Sequence, residues 1–161
     1  MAALTEITVW QALESVKDPE IPVVSVVEMG IVRDVTVDGD RVSVKMTPTF
    51  SGCPALDVMR EQIAACVRDL GAAEVTVETV LSPPWTTDWL SDETRARLKA
   101  FGLSPPARHC GNVAITFYEP APCPYCDSAD TVLKNSFGPT LCRAIYYCRA
   151  CQQPFEQFKA L

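Results

Sequence analysis

Two CxxC pairs, Cys123-Pro-Tyr-Cys126 and Cys148-Arg-Ala-Cys151, constrain this chain more than any other feature. A two-residue spacer lets both sulfurs of a pair reach one ion at about 2.3 Å, and two such pairs complete a tetrahedron. The 21 residues between the pairs exceed the roughly 15–20 of zinc-ribbon spacings by one, a difference that a hairpin loop absorbs. Gly138-Pro139 reads as a turn and Ile145-Tyr146-Tyr147 as a strand, so the order is knuckle, hairpin, knuckle. A redox dithiol needs a single CxxC; two at this spacing point to metal. Four thiolates leave no open coordination position, which favours one structural zinc, although an iron–sulfur cluster uses the same four-cysteine set. Residues 120–161 are therefore expected to form a zinc-ribbon-like module on Cys123, Cys126, Cys148 and Cys151, with the metal supplying much of its folding free energy. Cys142 lies inside this module but outside the knuckles, as either a small buried hydrophobe or an extra thiol.

Three further cysteines, Cys53, Cys66 and Cys110, bring the total to eight. In a secreted mini-protein this number would suggest disulfides. The N-terminal stretch MAALTEITVWQALESVKD carries an early acid and lacks the basic-then-apolar order of a signal peptide. No apolar run approaches the roughly 18–20 residues that span a bilayer. These features predict a cytoplasmic protein with reduced thiols. A net charge of −6, with 10 basic and 17 acidic residues before position 120, argues against a nucleic-acid partner.

The rest of the chain predicts an α+β domain over 1–103 and a linker with a connecting strand over 104–119. Val9, Leu13 and Val16 at helical spacing predict a helix over 5–17, stopped by Asp18-Pro19. Alternation predicts strands over 31–37 and 41–46, joined through Asp38-Gly39-Asp40 as a hairpin. A helix is expected from Pro54 to Leu70, with Leu56, Met59, Ile63, Cys66, Val67 and Leu70 forming one buried stripe. A strand follows over 73–81, then a Ser82-Pro83-Pro84-Trp85 corner with Trp85 as a packing anchor. A second surface helix is expected over 88–101, a linker over 102–111 and a strand over 113–118.

Cys53 directly precedes Pro54 and so is expected at a helix N-terminus, where backbone amides make a thiolate more available. Thr47, Thr49 and Ser51 precede it, and Gly52 permits close backbone approach. The competing reading is a neutral capping cysteine. Asp18 and Glu20 flank Pro19 either as solvated carboxylates at a helix stop or as acids that face the Cys53 loop. His109 is the only histidine and receives no role. There is no Ser-His-Asp set and no Gly-rich phosphate loop.

DPEIP at 18–22, EMGIVRDVTV at 28–37, TPTFSGCP at 47–54 and LSPPWTTDWLS at 81–91 resemble the metal–sulfur cluster biosynthesis domain related to SufT. CPYC and NSFGPTLCRAIYYCRACQQPFEQFK at 135–159 resemble the tail of the PaaD family, accessory proteins of the multicomponent phenylacetyl-CoA epoxidase. The resemblance implies a role in assembling metal or iron–sulfur centres on the epoxidase subunits or their iron–sulfur reductase. It places the motif cysteine on Cys53, the motif acids on Asp18 and Glu20, and Thr49 nearby. It matches Cys142 to an extra cysteine before the second knuckle. PPARHCGNVAITFYE at 105–119 does not match residue by residue, so Cys110 inherits no role. Three function classes remain: a maturation factor without its own turnover, a structural docking subunit of the oxygenase, and an iron–sulfur electron-transfer protein.

Overall fold

The computed structural model describes residues 4–106, 108 and 120–159. The strand expected over 113–118, His109 and Cys110 lie outside the described residues. The chain divides into two compact units, Met1–Trp85 and Thr86–Leu161. The division thus falls earlier than residue 103, and the helix before that position belongs with the ribbon.

In the first unit, α1 (Glu6–Leu13) opens with a capping box in which Thr5 and Thr8 satisfy each other's backbone amides. It ends a turn earlier than its apolar pattern suggests. The Ser15 hydroxyl donates to the Ala12 carbonyl at 2.7 Å, an i−3 bond that competes with continuation of the helix. Residues 18–31 then wrap through a series of turns that bury Ile21, Val24, Val26 and Met29. β1 (Val32–Asp38) and β2 (Arg41–Met46) form the expected antiparallel hairpin. Asp38 pairs with Arg41, and Gly39 takes a φ of 62°, which a side chain disfavours.

From β2 the chain runs through residues 47–55 into α2 (Leu56–Asp69) and returns as β3 (Glu74–Thr79), parallel to β2. The sheet order is β1-β2-β3. Helix α2 buries Met59, Ile63, Ala64 and Val67. The stripe is narrower than expected, because Leu70 is exposed and Cys66 only half-buried. Trp85 is buried and its indole N–H donates to the Met29 carbonyl at 2.8 Å, which fixes the end of this unit.

The second unit begins with a short 3-10 turn over Thr87–Trp89, capped by Thr86. The Ser91 hydroxyl accepts from the Thr94 amide and starts α3 (Asp92–Ala100), so the helix expected over 88–101 is split in two. Gly102, at φ 91°, ends α3, and β4 (Leu103–Ser104) lies where the sequence reads as linker. The ribbon contributes β5 (Thr131–Asn135), β6 (Arg143–Cys148) and β7 (Pro154–Phe158). The four strands are ordered β4-β7-β6-β5. Their small core comprises Ala121, Cys123, Ala144, Tyr146, Cys148 and Phe155, with Cys151 packed against it. Two of its six buried members are therefore candidate metal ligands.

Candidate metal centre and thiol loop

The knuckles are placed by the β5–β6–β7 sheet. Cys148 ends β6 and pairs with Thr131 of β5, while Cys123 and Cys126 precede β5. All four sulfurs lie within 4.8 Å of one another. Cys123 Sγ is 3.6 Å from Cys151 Sγ, and Cys126 Sγ is 3.6 Å from Cys148 Sγ. A tetrahedron with metal–sulfur bonds of about 2.3 Å has sulfur–sulfur edges of about 3.8 Å, so the four donors fit one ion.

The two knuckles repeat one geometry. Asp127 and Gln152, each directly after the second cysteine of its pair, are the non-glycine residues at positive φ among the described residues, 60° and 59°. This left-handed step turns the following amide back toward sulfur. The Ser128 amide donates to Cys126 and the Gln153 amide to Cys151, each two residues on. Cys148 receives the amides of Cys151 and Ala150. Such donors are what thiolate ligands require. The Cys151 amide does most to draw the Cys148 thiol down to about 7, against its burial. Burial together with the Cys123, Cys126 and Cys148 thiols pushes Cys151 up to about 12. The Cys126 and Cys151 thiols thus resist ionisation, which a cation among the sulfurs would favour. With all four positions filled by protein, the centre would hold an ion without an open place for substrate.

Cys142 is half-buried and stands apart from this cluster, its sulfur 3.1 Å from the Thr140 hydroxyl. No disulfide occurs among the described residues.

In the first unit Cys53 is half-buried in the loop that links the end of β2 to α2. It does not sit at the helix terminus itself. Pro54 is not the first helical residue; the helix starts at Leu56 with Ala55 at its cap, and Ala55 offers no side-chain acceptor. A preceding turn, closed by the Leu56 amide on the Cys53 carbonyl at 3.2 Å, carries Pro54 instead. The Cys53 amide donates to the Phe50 carbonyl at 3.1 Å, making a second turn. A Cβ at Gly52 would come within 2.9 Å of the Phe50 ring, so the glycine lets that exposed ring lie against the loop. Thr49 is half-buried on the same loop.

Asp18 is 8% exposed, and its Oδ1 accepts from the amides of Glu20 at 2.8 Å and Ile21 at 3.0 Å. This carboxylate closes the turn that ends the N-terminal segment, a task that sequence reading assigned to proline alone. Glu20 is half-buried beside it. Among the described residues, no group of three or more His, Cys, Asp and Glu side chains other than the four cysteines converges in this way. Asp18, Glu20 and Cys53 therefore do not form a three-ligand set. Cys66 lines a groove beside Ser15, Asp18 and Asp69 rather than the core. Burial there pushes its thiol up, Asp69 adds to the effect, and the Ser15 hydroxyl opposes it.

The left-handed residues after each knuckle carry no glycine signal, so sequence reading missed them. Their common signal is position, one residue after the second cysteine of each CxxC.

Comparison with known proteins follows the division of the chain. Residues 6–79 match the iron–sulfur cluster assembly protein family, and residues 113–159 match the PaaD zinc β ribbon domain. A protein of Escherichia coli (strain K12), named as one of the subunits of a 1,2-phenylacetyl-CoA epoxidase, is 39% identical over 95% of this chain and 92% of its own. The Fe-S protein maturation auxiliary factor YitW of Bacillus subtilis is 39% identical over 50% of this chain and 79% of its own. Among solved structures, a domain of unknown function from Bacillus anthracis is 30% identical with a TM-score of 0.54, covering 58% of this chain and 90% of its own. A conserved hypothetical protein from Thermotoga maritima is 32% identical with a TM-score of 0.53, covering 63% and 98%. No helix among the described residues is long and apolar enough to cross a membrane.

Proposed function

Because this chain belongs to the PaaD family, joining an iron–sulfur cluster assembly domain to a zinc β ribbon, we propose that it is a maturation factor. On this reading it assists assembly of metal or iron–sulfur centres in a multicomponent phenylacetyl-CoA epoxidase or its reductase, without turnover of its own. The observation that carries the reading is a division of labour among thiols. Four cysteines form a closed set, and a fifth, Cys53, stands on a separate loop of the half that matches the assembly family.

The four-cysteine centre is read as one zinc, held by Cys123, Cys126, Cys148 and Cys151. Zinc bound there supplies charge neutralisation and a structural anchor. Iron–sulfur chemistry is assigned to the client. Cys53 would hold the metal or cluster in transit through its sulfur, and the turns over 50–53 and 53–56 fix its backbone in the loop ahead of α2. Gly52 and Phe50 shape the loop. Asp18 and Glu20 act through the fold of their turn; Cys142 and Cys66 take no part.

The test is a Cys53→Ser strain in which epoxidase and reductase are purified and their iron and acid-labile sulfide measured. Loading in at least one client is expected to fall severalfold. Full loading in both removes the assigned role of Cys53. The Escherichia coli relative, by its name a component of the epoxidase itself, favours a second reading, in which the chain docks permanently on the oxygenase. That version predicts stoichiometric co-purification and tolerance of Cys53→Ser.

A further inference from the structure

The ribbon carries more than its own forty residues, and several fastenings of the extra piece fall at one place. Arg95 of α3 donates to the carbonyls of Thr87 at 2.7 Å and Leu90 at 3.4 Å and also to that of Pro106. One guanidinium thus ties both ends of the 87–106 segment to its middle, and Leu90, Leu98 and Leu103 are buried. The segment is consequently a small stiff body rather than a loose linker.

Its attachments on the ribbon side converge on the first knuckle. Lys99 Nζ pairs with Asp127, directly after Cys126. The Tyr125 ring, between the two cysteines of the knuckle, lies against Gly102; a Cβ there would stand 3.0 Å from its hydroxyl oxygen. The Ser104 hydroxyl donates to the Pro122 carbonyl at 2.8 Å, directly before Cys123. Among the described residues, β4 also pairs Leu103 with Glu156 and Ser104 with Gln157, and both of its residues are buried. Three contacts therefore reach residues 122, 125 and 127, the backbone that must close around the ion.

That backbone is folded around four converging sulfurs. Asp127 holds a left-handed conformation costing a non-glycine residue about 1 kcal/mol, and Cys123 and Cys126 are brought within van der Waals contact of the opposite pair. Metal–sulfur bonds are what keep such a turn closed.

We propose that occupancy of the four-cysteine site sets whether the α3–β4 segment stays docked, so that residues 92–104 are a metal-gated strap. Tyr125, Asp127, Lys99 and Gly102 are its positioning residues. When the ion is present, the knuckle presents Tyr125 and Asp127 in register with Gly102 and Lys99. Without it the knuckle opens, and the short β4–β7 pairing does not hold the strap. The strap forms one wall, through Phe101, Gly102 and Leu103, of a trough of about 430 Å³ whose other lining includes Tyr125, Ile145 and the Arg143–Glu156 ion pair. Metal state thereby also decides whether this trough exists. The inference rests on the reading of the four cysteines as a zinc site.

Hydrogen exchange on the full chain tests it, with zinc content measured on the same samples. In wild type carrying one zinc, the Ser104 amide, which faces β7, is expected to exchange slowly; in zinc-free protein it speeds up at least tenfold. Tyr125→Ala and Lys99→Ala that still hold one zinc are expected to show the same acceleration while β6 stays protected, which separates strap release from loss of the ribbon. Because coupling is reciprocal, competition with a chelator should show about tenfold weaker zinc affinity in Lys99→Ala. Strap amides as slow in both zinc-loaded variants as in wild type overturn the gate, as does an unchanged affinity alongside a released strap. Failure of the parent reading is a different result: wild type that takes up no zinc at all.

Discussion

Asp18 is the residue at which a structural and a chemical role can be separated by one atom. Its Oδ1 closes the turn on the amides of Glu20 and Ile21. A hydrogen bond to a charged acceptor contributes about 1.5–3 kcal/mol, but the Ile21 amide also reaches the Asp18 carbonyl at 3.2 Å and keeps a partner without the side chain. Asp18→Ala should therefore cost about 2 kcal/mol, roughly one bond and part of another. In a unit of this size that lowers the midpoint of thermal unfolding by about 10 °C. Asp18→Asn keeps an acceptor oxygen in the same place and should recover most of the loss, ending within about 1 kcal/mol of wild type. The assay pairs calorimetric melting of each variant with iron loading of the epoxidase and reductase in a strain that depends on it. The expected pattern is that loading follows stability, poor with alanine and near normal with asparagine. Asparagine as stable as wild type yet as defective as alanine in client loading would refute the structural reading and give the carboxylate charge a chemical task.

Other outcomes follow from the two thiol environments and the knuckle backbone. Cys148→Ser removes a fully buried candidate ligand and should abolish stoichiometric metal binding, with loss of ordered signals from β5–β7 but not from β1–β3 in a heteronuclear NMR spectrum; retained one-to-one metal contradicts the ligand assignment. Gln152→Gly relieves a left-handed side chain and should raise the stability of the metal-loaded ribbon by about 0.5–1 kcal/mol in denaturant melts; a loss would mean that the Gln152 side chain does something else. Burial raises the Cys66 thiol above its ordinary 9.0, so its alkylation at neutral pH should lag that of an exposed cysteine and climb only as pH passes 9. The same shift favours the neutral thiol in the folded state: its stabilisation is fully present below the unfolded value and is lost as pH rises through the folded one. Mass-resolved labelling that finds Cys66 as fast as an unstructured thiol at pH 7 contradicts the buried environment.

The features legible in the sequence were those written in local chemistry. Asp38-Gly39-Asp40 between alternating strands gave the hairpin, because a positive φ at Gly39 needs glycine and little else. The CxxC pairs gave the convergence of four sulfurs, because the spacing within each pair is a local property. What resisted reading was set across distance. Leu103-Ser104 looks like linker because a two-residue strand has no period, and only Glu156 and Gln157 make it one. Cys66 fits an apolar stripe by spacing, yet it faces a groove that Ser15 and Asp18 help to line. Pro54 suits the start of a helix, but here it occupies the turn before one, which moved Cys53 away from the helix end.

The parallel pairing of β2 with β3 has a consequence for the order of folding. The β1–β2 hairpin closes over two residues and needs nothing beyond its own stretch of chain, so it belongs to the microsecond class of events. β3 must wait for residues 47–73 to traverse a whole helix before Glu74 meets Arg41, and such non-local closure is slow. Cys53 lies inside the stretch enclosed by that late event. A chain still emerging from the ribosome would carry the thiol on an unclosed crossover, and Cys53 reaches its settled surroundings only once the sheet has gained its third strand.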